Sequence, residues 1–291
     1  MDTAAARHVL GYATGYGVAQ IAPFVLSLRA VFQGAVALVV DPDPAMLEFL
    51  AAHDVGVVPR APVTGWRPHV AVERLATFDA LLRGMPADAS VLLTDVRDVV
   101  FQANPLSPAP TAIEAFEEPG TCGDHRFNMK YITALAGPGI ADVIRDRPAL
   151  CVGTVAGPAG ELARMCRTLL MLSARPRSAM GGAFGADQAA FNIAAHLDLV
   201  PVVRCPNFSR VATLGLVEGG TLTIKGDRIL NPDGGVSPVV HQYDRHPHLH
   251  AHIRALWSVD LPERRQVPAH PVLSRLRRHA ESIRRRIPEL R

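Results

Sequence analysis

Two aspartates three positions apart close a short apolar run in Ser90-Val91-Leu92-Leu93-Thr94-Asp95-Val96-Arg97-Asp98-Val99-Val100-Phe101-Gln102. Carboxylates at such close spacing can hold a hard divalent cation, and a cation of that kind neutralises a diphosphate. A histidine, His241, opens a second polar run, His241-Gln242-Tyr243-Asp244-Arg245-His246-Pro247, directly after the apolar pair Val239-Val240. Its imidazole could complete a metal site with Asp95 and Asp98 or hydrogen-bond a phosphate. The plainer alternative is a polar turn in which Arg97 pairs with an acid, with His241 as a structural histidine. His246, His248, His250 and His252 alternate, which on a strand would suggest zinc. The segment through Ile253, Leu256 and Trp257 has helical spacing instead, so these four read as surface histidines.

The elements that must position these residues alternate in type. Val9–Ala13, Ala35–Val40, Gly56–Val58 and Val91–Leu93 read as short strands. Val18–Phe32, Pro44–His53 and Val70–Leu82 carry apolar residues at helical spacing. This βαβα order predicts a mostly parallel sheet covered by helices, and ligands bind at the carboxyl edge of such sheets, where Asp95 and Asp98 fall. Further on, Asn104–Pro110 reads as a loop, Ala149–Val152 as a strand ending before Gly153-Thr154, and Gly160–Ser173 as a helix. A Pro, Ser and Gly-rich loop spans Arg175–Gly185. Asp187 then stands near the start of a helix over Asp187–Leu197, a place that favours an acid whatever its function. Val211–Val217 and Thr221–Lys225, on either side of Glu218-Gly219-Gly220, read as a hairpin. Arg175–Gly185 and Asn207–Arg210 are expected to shape an acceptor site.

With 291 residues, 48% of them hydrophobic and 20% charged, the chain can bury a large core and is not disordered. A net charge of +3 gives no case for nucleic acid as a partner. Cys122, Cys151, Cys166 and Cys205 lack metal or redox spacing and read as reduced thiols of a cytoplasmic protein. No signal peptide and no membrane-spanning run is evident. From Pro262 onward, Leu273, Leu276, Ala280, Ile283, Ile287 and Leu290 recur every three or four residues among arginines. This predicts a basic amphipathic helix that lies on anionic lipid at the inner membrane face, through about 270–291, or docks on its own domain.

Gly11-Tyr12-Ala13-Thr14-Gly15-Tyr16-Gly17 follows the first strand and opens a helix. It lacks the third glycine of a dinucleotide fingerprint, but Asp41 stands where a ribose-binding acid would stand. An NAD(P)- or methyl-donor-dependent Rossmann enzyme therefore competes with a nucleotide-sugar enzyme. The second reading accounts for more: Tyr12, Ala13 and Thr14 for base and ribose, the acid pair for a metal, and the late histidine.

Taken in order, these segments resemble the GT-A-fold glycosyltransferases, including the glycogenin-like and lipopolysaccharide enzymes. Thr94 to Gln102 looks like their metal-binding stretch, with three residues' spacing in place of D-x-D. Cys151-Val152-Gly153-Thr154 resembles the segment beside the donor sugar. Asp187-Gln188-Ala189-Ala190-Phe191-Asn192 resembles their D-Q-x-x-x-N helix start, and Val240-His241-Gln242-Tyr243-Asp244 their late metal or phosphate histidine. Arg74 matches an arginine directed at the donor. Asn128 matches a mid-domain asparagine, or simply caps a helix. The resemblance implies one α/β GT-A-type domain over 1–261, with a mostly parallel central sheet flanked by helices and an Arg-rich tail over 262–291. It implies transfer of a hexose from a nucleotide diphosphate sugar, UDP-linked, to a glycan, lipid-linked or protein acceptor. In that scheme Mn²⁺ or Mg²⁺ sits on Asp95, Asp98 and His241, with Asp98 the directly ligating acid and Asp95 a further ligand or, alternatively, the holder of ribose or of a water beside the metal. Tyr12, Ala13, Thr14, Arg74, Thr94, Asp95, Gly153, Thr154 and Lys225 bind the donor, with Lys225 or Arg74 adding positive charge. Asp187 and Gln188 stand near the reacting carbon. A non-catalytic, membrane-associated binding protein is the third expectation.

Overall fold

The computed structural model describes residues 6–60, 69–175 and 184–261. A seven-stranded sheet organises them. Its strands are β1 (Arg7–Tyr12), β2 (Ala35–Val40), β3 (Gly56–Pro59), β4 (Ser90–Thr94), β6 (Glu114–Thr121), β7 (Pro148–Pro158) and β8 (Val203–Cys205). They lie side by side in the order β3-β2-β1-β4-β7-β6-β8. β3, β2, β1 and β4 are mutually parallel, β7 runs against both its neighbours, and β8 is parallel to β6. Six strands thus point one way and one the other, so the sheet is mostly parallel, as the βαβα pattern predicts.

Helices cover both faces, because the strands are apolar on both. Leu92 and Val9 face one core with α1 (Val18–Val31), which contributes Ile21, Phe24, Val25 and Leu28. Leu10, Val91 and Leu93 face the other, with α3 (Val70–Leu82) and α6 (Ala159–Ser173) packed on each other over it. α2 (Pro44–Ala52) starts where Asp43 Oδ1 accepts from Met46 N at 2.9 Å and Pro44 needs no donor partner.

Several elements differ from the sequence expectation. β7 does not stop before Gly153 but runs through it to Pro158, because β4 and β6 pair with it on either side. β6, α4 (Arg126–Ala136), α5 (Pro138–Ile144) and β8 carry no clear periodicity and were not expected. Asn128 lies inside α4 rather than at its cap. The expected hairpin about Glu218–Gly220 is replaced by a single helical turn there. The hairpin instead joins β10 (Thr223–Lys225) to β11 (Arg228–Leu230), because Gly226 supplies the φ of +62° that so tight a turn requires. The Arg-rich tail over 262–291 lies outside the described residues. None of the described helices is long and apolar enough to cross a membrane.

A second sheet, of three strands, adjoins the carboxyl edge of the first. β12 (Val239–His241) runs between β5 (Val99–Phe101), antiparallel to it, and β9 (Val211–Thr213), parallel to it. Phe101 N donates to Ser27 Oγ at 3.1 Å, tying β5 to α1. The buried Gln102 side chain bridges three backbone groups, accepting from Ile229 N at 2.6 Å and donating to Ile229 O and Ser237 O at 3.0 and 3.1 Å. α7 (Ala186–His196) is fixed in a similar way. Asn192 accepts from Leu150 N and donates to Leu150 O, both at 2.9 Å, clamping the helix to β7. Replacing Asn192 by Ala leaves both groups unpaired in a dry site. Asn192→Ala should cost about 2–4 kcal/mol of stability by urea unfolding, and a change within about 0.5 kcal/mol would refute the clamp.

Candidate metal centre and its cleft

β4 delivers Asp95 one residue past its end, and three residues on, Asp98 immediately precedes β5. The antiparallel register of the small sheet sets His241 opposite Val99, and Gln242 N donates to Asp98 O at 2.8 Å. Residues far apart in sequence are thereby held side by side. One ligand atom from each of Asp95, Asp98 and His241 lies within 4.8 Å of the others. His241 Nε2 is 3.6 Å from Asp95 Oδ2 and 4.0 Å from Asp98 Oδ1. These separations fall between the about 3.0 Å of neighbouring ligands and the about 4.2 Å of opposite ligands around an octahedral ion with bonds of about 2.1 Å.

Three features fit a divalent cation. His241 Nε2 is buried and has no hydrogen-bond partner among the described residues, a costly condition that a metal bond would relieve. Nδ1 of the same ring is 3.5 Å from Cys151 Sγ; a ring bound to a metal through Nε2 would carry its proton on Nδ1. Two carboxylates and one imidazole form a mixed oxygen and nitrogen donor set that suits a first-row divalent ion such as Mn²⁺ better than Mg²⁺, which favours oxygen alone.

Gly153 makes the close approach possible. A β-carbon there would lie 2.5 Å from His241 Cε1 and 2.7 Å from Asp95 Oδ2. Its carbonyl also accepts from Asp95 N at 2.7 Å. Gly153, expected beside a donor sugar, is thus the floor against which the triad packs.

Arg74, on α3, orients Asp95 from the other side. Its guanidinium donates to Asp95 Oδ1 and, at 2.6 Å, to Asp187 Oδ2. Burial alone would raise the Asp95 carboxyl, but Arg74 and then His241 outweigh it and hold it well below the usual carboxylate range. Asp98 is more enclosed. Burial pushes its carboxyl up against the pull of His241, and the carboxylates of Asp95 and Asp244 add to the rise. Asp187 is also pushed up, first by burial and against the pull of Arg74. Arg97 reaches past Asp98, at 3.9 Å, to pair with Asp244 at 2.9 Å, so it is not simply the partner of the acid pair.

These residues open onto a cleft of about 720 Å³, a size suited to a small-molecule ligand. Of the expected site residues, Tyr12, Thr14, Arg74, Asp95, Asp98, Gly153, Asp187, Gln188 and His241 all line it. Ala13, Thr94 and Thr154 are buried beneath and do not. Lys225 is exposed on the β10–β11 hairpin and does not line the cleft; Arg74, against Asp95, and Arg97, 3.9 Å from Asp98, are cations beside the cluster, and Arg245 also lines the cleft. Asn207–Arg210 also lies away from it. Arg210 braces the fold through Glu114 at 2.6 Å and Pro105 O at 2.8 Å. Of the Arg175–Gly185 loop, the described residues Phe184 and Gly185 reach the cleft.

Several lining residues escaped sequence reasoning. Glu118 accepts from Gln188 Nε2 at 2.9 Å and lies 3.6 Å from His125 Nδ1. It sits in Ala115-Phe116-Glu117-Glu118-Pro119-Gly120, whose mixed polarity gives no strand signal. Tyr16 and Arg245 stand in segments that the sequence singles out, the Gly11–Gly17 loop and the polar run after His241, but were not themselves expected in the site; nor were Phe127, next to Asn128, and Phe184, in the Arg175–Gly185 loop.

The Tyr12 side of the cleft is braced by a second ion pair. Tyr12 OH donates to Glu73 Oε1 at 2.9 Å, and Arg60 donates to both Glu73 oxygens at 2.7 Å. Arg60 foremost, and Tyr12 after it, lower the Glu73 carboxyl against the opposing effect of burial. No protein-family model and no curated protein matches the chain.

Gly153→Ala should weaken Mn²⁺ binding at least about tenfold by isothermal titration, as displaced ligand supports do elsewhere, and unaltered affinity would sink the packing argument. Because Glu73 is depressed in the folded state, its contribution is present above its usual value of 4.5 and lost as the pH falls through the folded value. The stability gap between wild type and Glu73→Gln should therefore shrink on acidification from about pH 6 towards about pH 3; a gap that stays constant in denaturant titrations would refute the assignment.

Proposed function

We propose that this protein is a metal-dependent glycosyltransferase of GT-A type, moving a hexosyl group from a nucleotide diphosphate sugar to an acceptor hydroxyl. The observation that carries the reading is the Asp95–Asp98–His241 cluster at the carboxyl edge of β4, inside a cleft large enough for such a donor. The mostly parallel sheet and the order of motifs along the chain support it as well.

Tyr12, at the end of β1, and Thr14, on the loop after it, take the base and ribose, with UDP the expected nucleotide. Asp95, Asp98 and His241 hold Mn²⁺ or Mg²⁺, which when bound neutralises the diphosphate as it leaves. Arg97 and Arg245 add positive charge on the same side, the role that the sequence suggests for Lys225. Arg74 keeps Asp95 turned towards the cluster and holds Asp187 at the cleft wall. In the transfer, the bond from the anomeric carbon to the diphosphate oxygen breaks and its electron pair leaves with the diphosphate. The acceptor oxygen bonds to the anomeric carbon, and its proton passes to the Asp187 carboxylate, with Gln188 beside it orienting the sugar.

The dinucleotide alternative asks Asp41 to hold a ribose. Asp41 Oδ2 instead accepts from Gly15 N at 2.7 Å, and Asp41 does not line the cleft. A purely recruiting role through the tail has no support among the described residues.

A thermal-shift titration tests the reading. UDP at about a hundred times its dissociation constant adds about 2.7 kcal/mol, a rise of roughly 4–5 °C for a chain of this size. The rise should require Mn²⁺ and vanish in Asp98→Ala. A metal-independent rise with NAD(P) or a methyl donor, unaffected by Asp98→Ala, would replace this reading with the Rossmann one.

A further inference from the structure

The cleft has a second end that the metal does not occupy. Along the sheet, β1, β4, β7 and β6 are successive neighbours. At about 4.8 Å per strand, the loop after β1 and the end of β6 stand about 14 Å apart across the edge. Tyr12 and Thr14 mark one side, the metal cluster lies over β4 and β7, and Glu118 of β6 marks the other. Beyond Glu118 come His125, Phe127 and Asn128 from the start of α4, and Phe184, just before α7, lines the cleft beside His69.

Asn128 is the telling residue. It is only 4% exposed and lines the cleft, yet neither its amide nitrogen nor its amide oxygen has a hydrogen-bond partner among the described residues. A buried amide left unsatisfied at both atoms is costly, and native structures rarely keep one without a ligand or water to fill it. The groups around it narrow the choice. Asn128 offers one donor and one acceptor direction side by side, the pattern that adjacent hydroxyls match. Glu118, also buried, offers carboxylate oxygens. Phe127 and Phe184 are 66% and 71% exposed, two large apolar rings on the cleft wall, with Phe184 edge-on to His69 at a centroid distance of 6.2 Å. A flat apolar C–H face with hydroxyls around its edge is the surface of a pyranose ring. A lipid chain would need a continuous apolar lining, and here the buried lining is polar.

We propose that this end is an acceptor subsite for a pyranoside, with Asn128 and Glu118 binding ring hydroxyls and Phe127 and Phe184 packing on the C–H face. This rests on the transferase reading above and narrows its acceptor from any glycan, lipid or protein group to a sugar ring. Asn128 and Phe184 are then specificity-determining residues, not catalytic ones.

The test is saturation-transfer NMR on the full chain with UDP and Mn²⁺ present, using methyl glycosides of glucose, galactose, mannose and N-acetylglucosamine as probes. At least one glycoside should receive saturation, strongest at its ring C–H protons. The signal should drop at least about fivefold in Asn128→Ala, the loss of a hydrogen bond or two. It should drop likewise in Phe184→Ala, whose exposed side chain can be removed without threatening the fold. Failure of every glycoside to bind while the Mn²⁺-dependent UDP shift persists overturns the acceptor proposal and leaves the transferase reading standing. Saturation of octyl glycosides at the alkyl chain alone, with methyl glycosides silent, also overturns it in favour of an apolar acceptor. Glycoside binding that depends on Asn128, in a protein with no UDP shift, supports the sugar subsite and sinks the transferase reading.

Discussion

One guanidinium sits between two carboxylates, and the site is built around it. Arg74 bridges Asp95 and Asp187, which come from opposite halves of the chain. Drawing three charges out of bulk water is tolerable only if each finds partners with good geometry. Arg74 has its two acids. Asp95 has in addition the Gly153 carbonyl for its N–H and His241 beside its second oxygen. The position of α3 over the sheet, and of α7 against β7, follows from the need to bring these groups together without leaving a charge stranded.

The two sheets meet at the same place. β4 ends at Thr94, Asp95 bonds back to β7, and three residues later the chain enters the small sheet as β5. The short stretch Asp95–Asp98 is thus anchored at both ends by backbone ladders. Its side chains are held by strand register rather than by loop conformation, and β12 delivers His241 through the same register. A cluster assembled this way is preorganised, because its side chains cannot drift without breaking pairing in two sheets.

Electrostatics divides the cleft. Around the triad, acids and cations nearly alternate, and the acids there are perturbed in opposite directions: Asp95 down, Asp98 and Asp187 up. Carboxylates whose surroundings push them apart are characteristic of sites that do chemistry. The far end carries fewer charges. Asn128 stands there with neither amide atom paired among the described residues, and Phe127 beside it is exposed.

The sequence by itself determined the elements with a simple period. Ala35–Val40 and Val70–Leu82 lie where the apolar spacing puts them, since a buried β-branched run and an i, i+3, i+4 stripe each fit one backbone. It also singled out Asp95, Asp98 and His241, because few residue types can hold a hard cation. Tertiary structure decided everything that depends on neighbours. β6, with its Glu, Pro and Gly, is a strand only because β7 and β8 pair with it, and β7 runs through Gly153 for the same kind of reason. That His241 meets Asp98, that Gly153 serves the triad, that Lys225 stands away from the cleft and that Asn128 waits unpaired within it are all consequences of long-range register. Register is a property of two strands together, and no single stretch of sequence contains it.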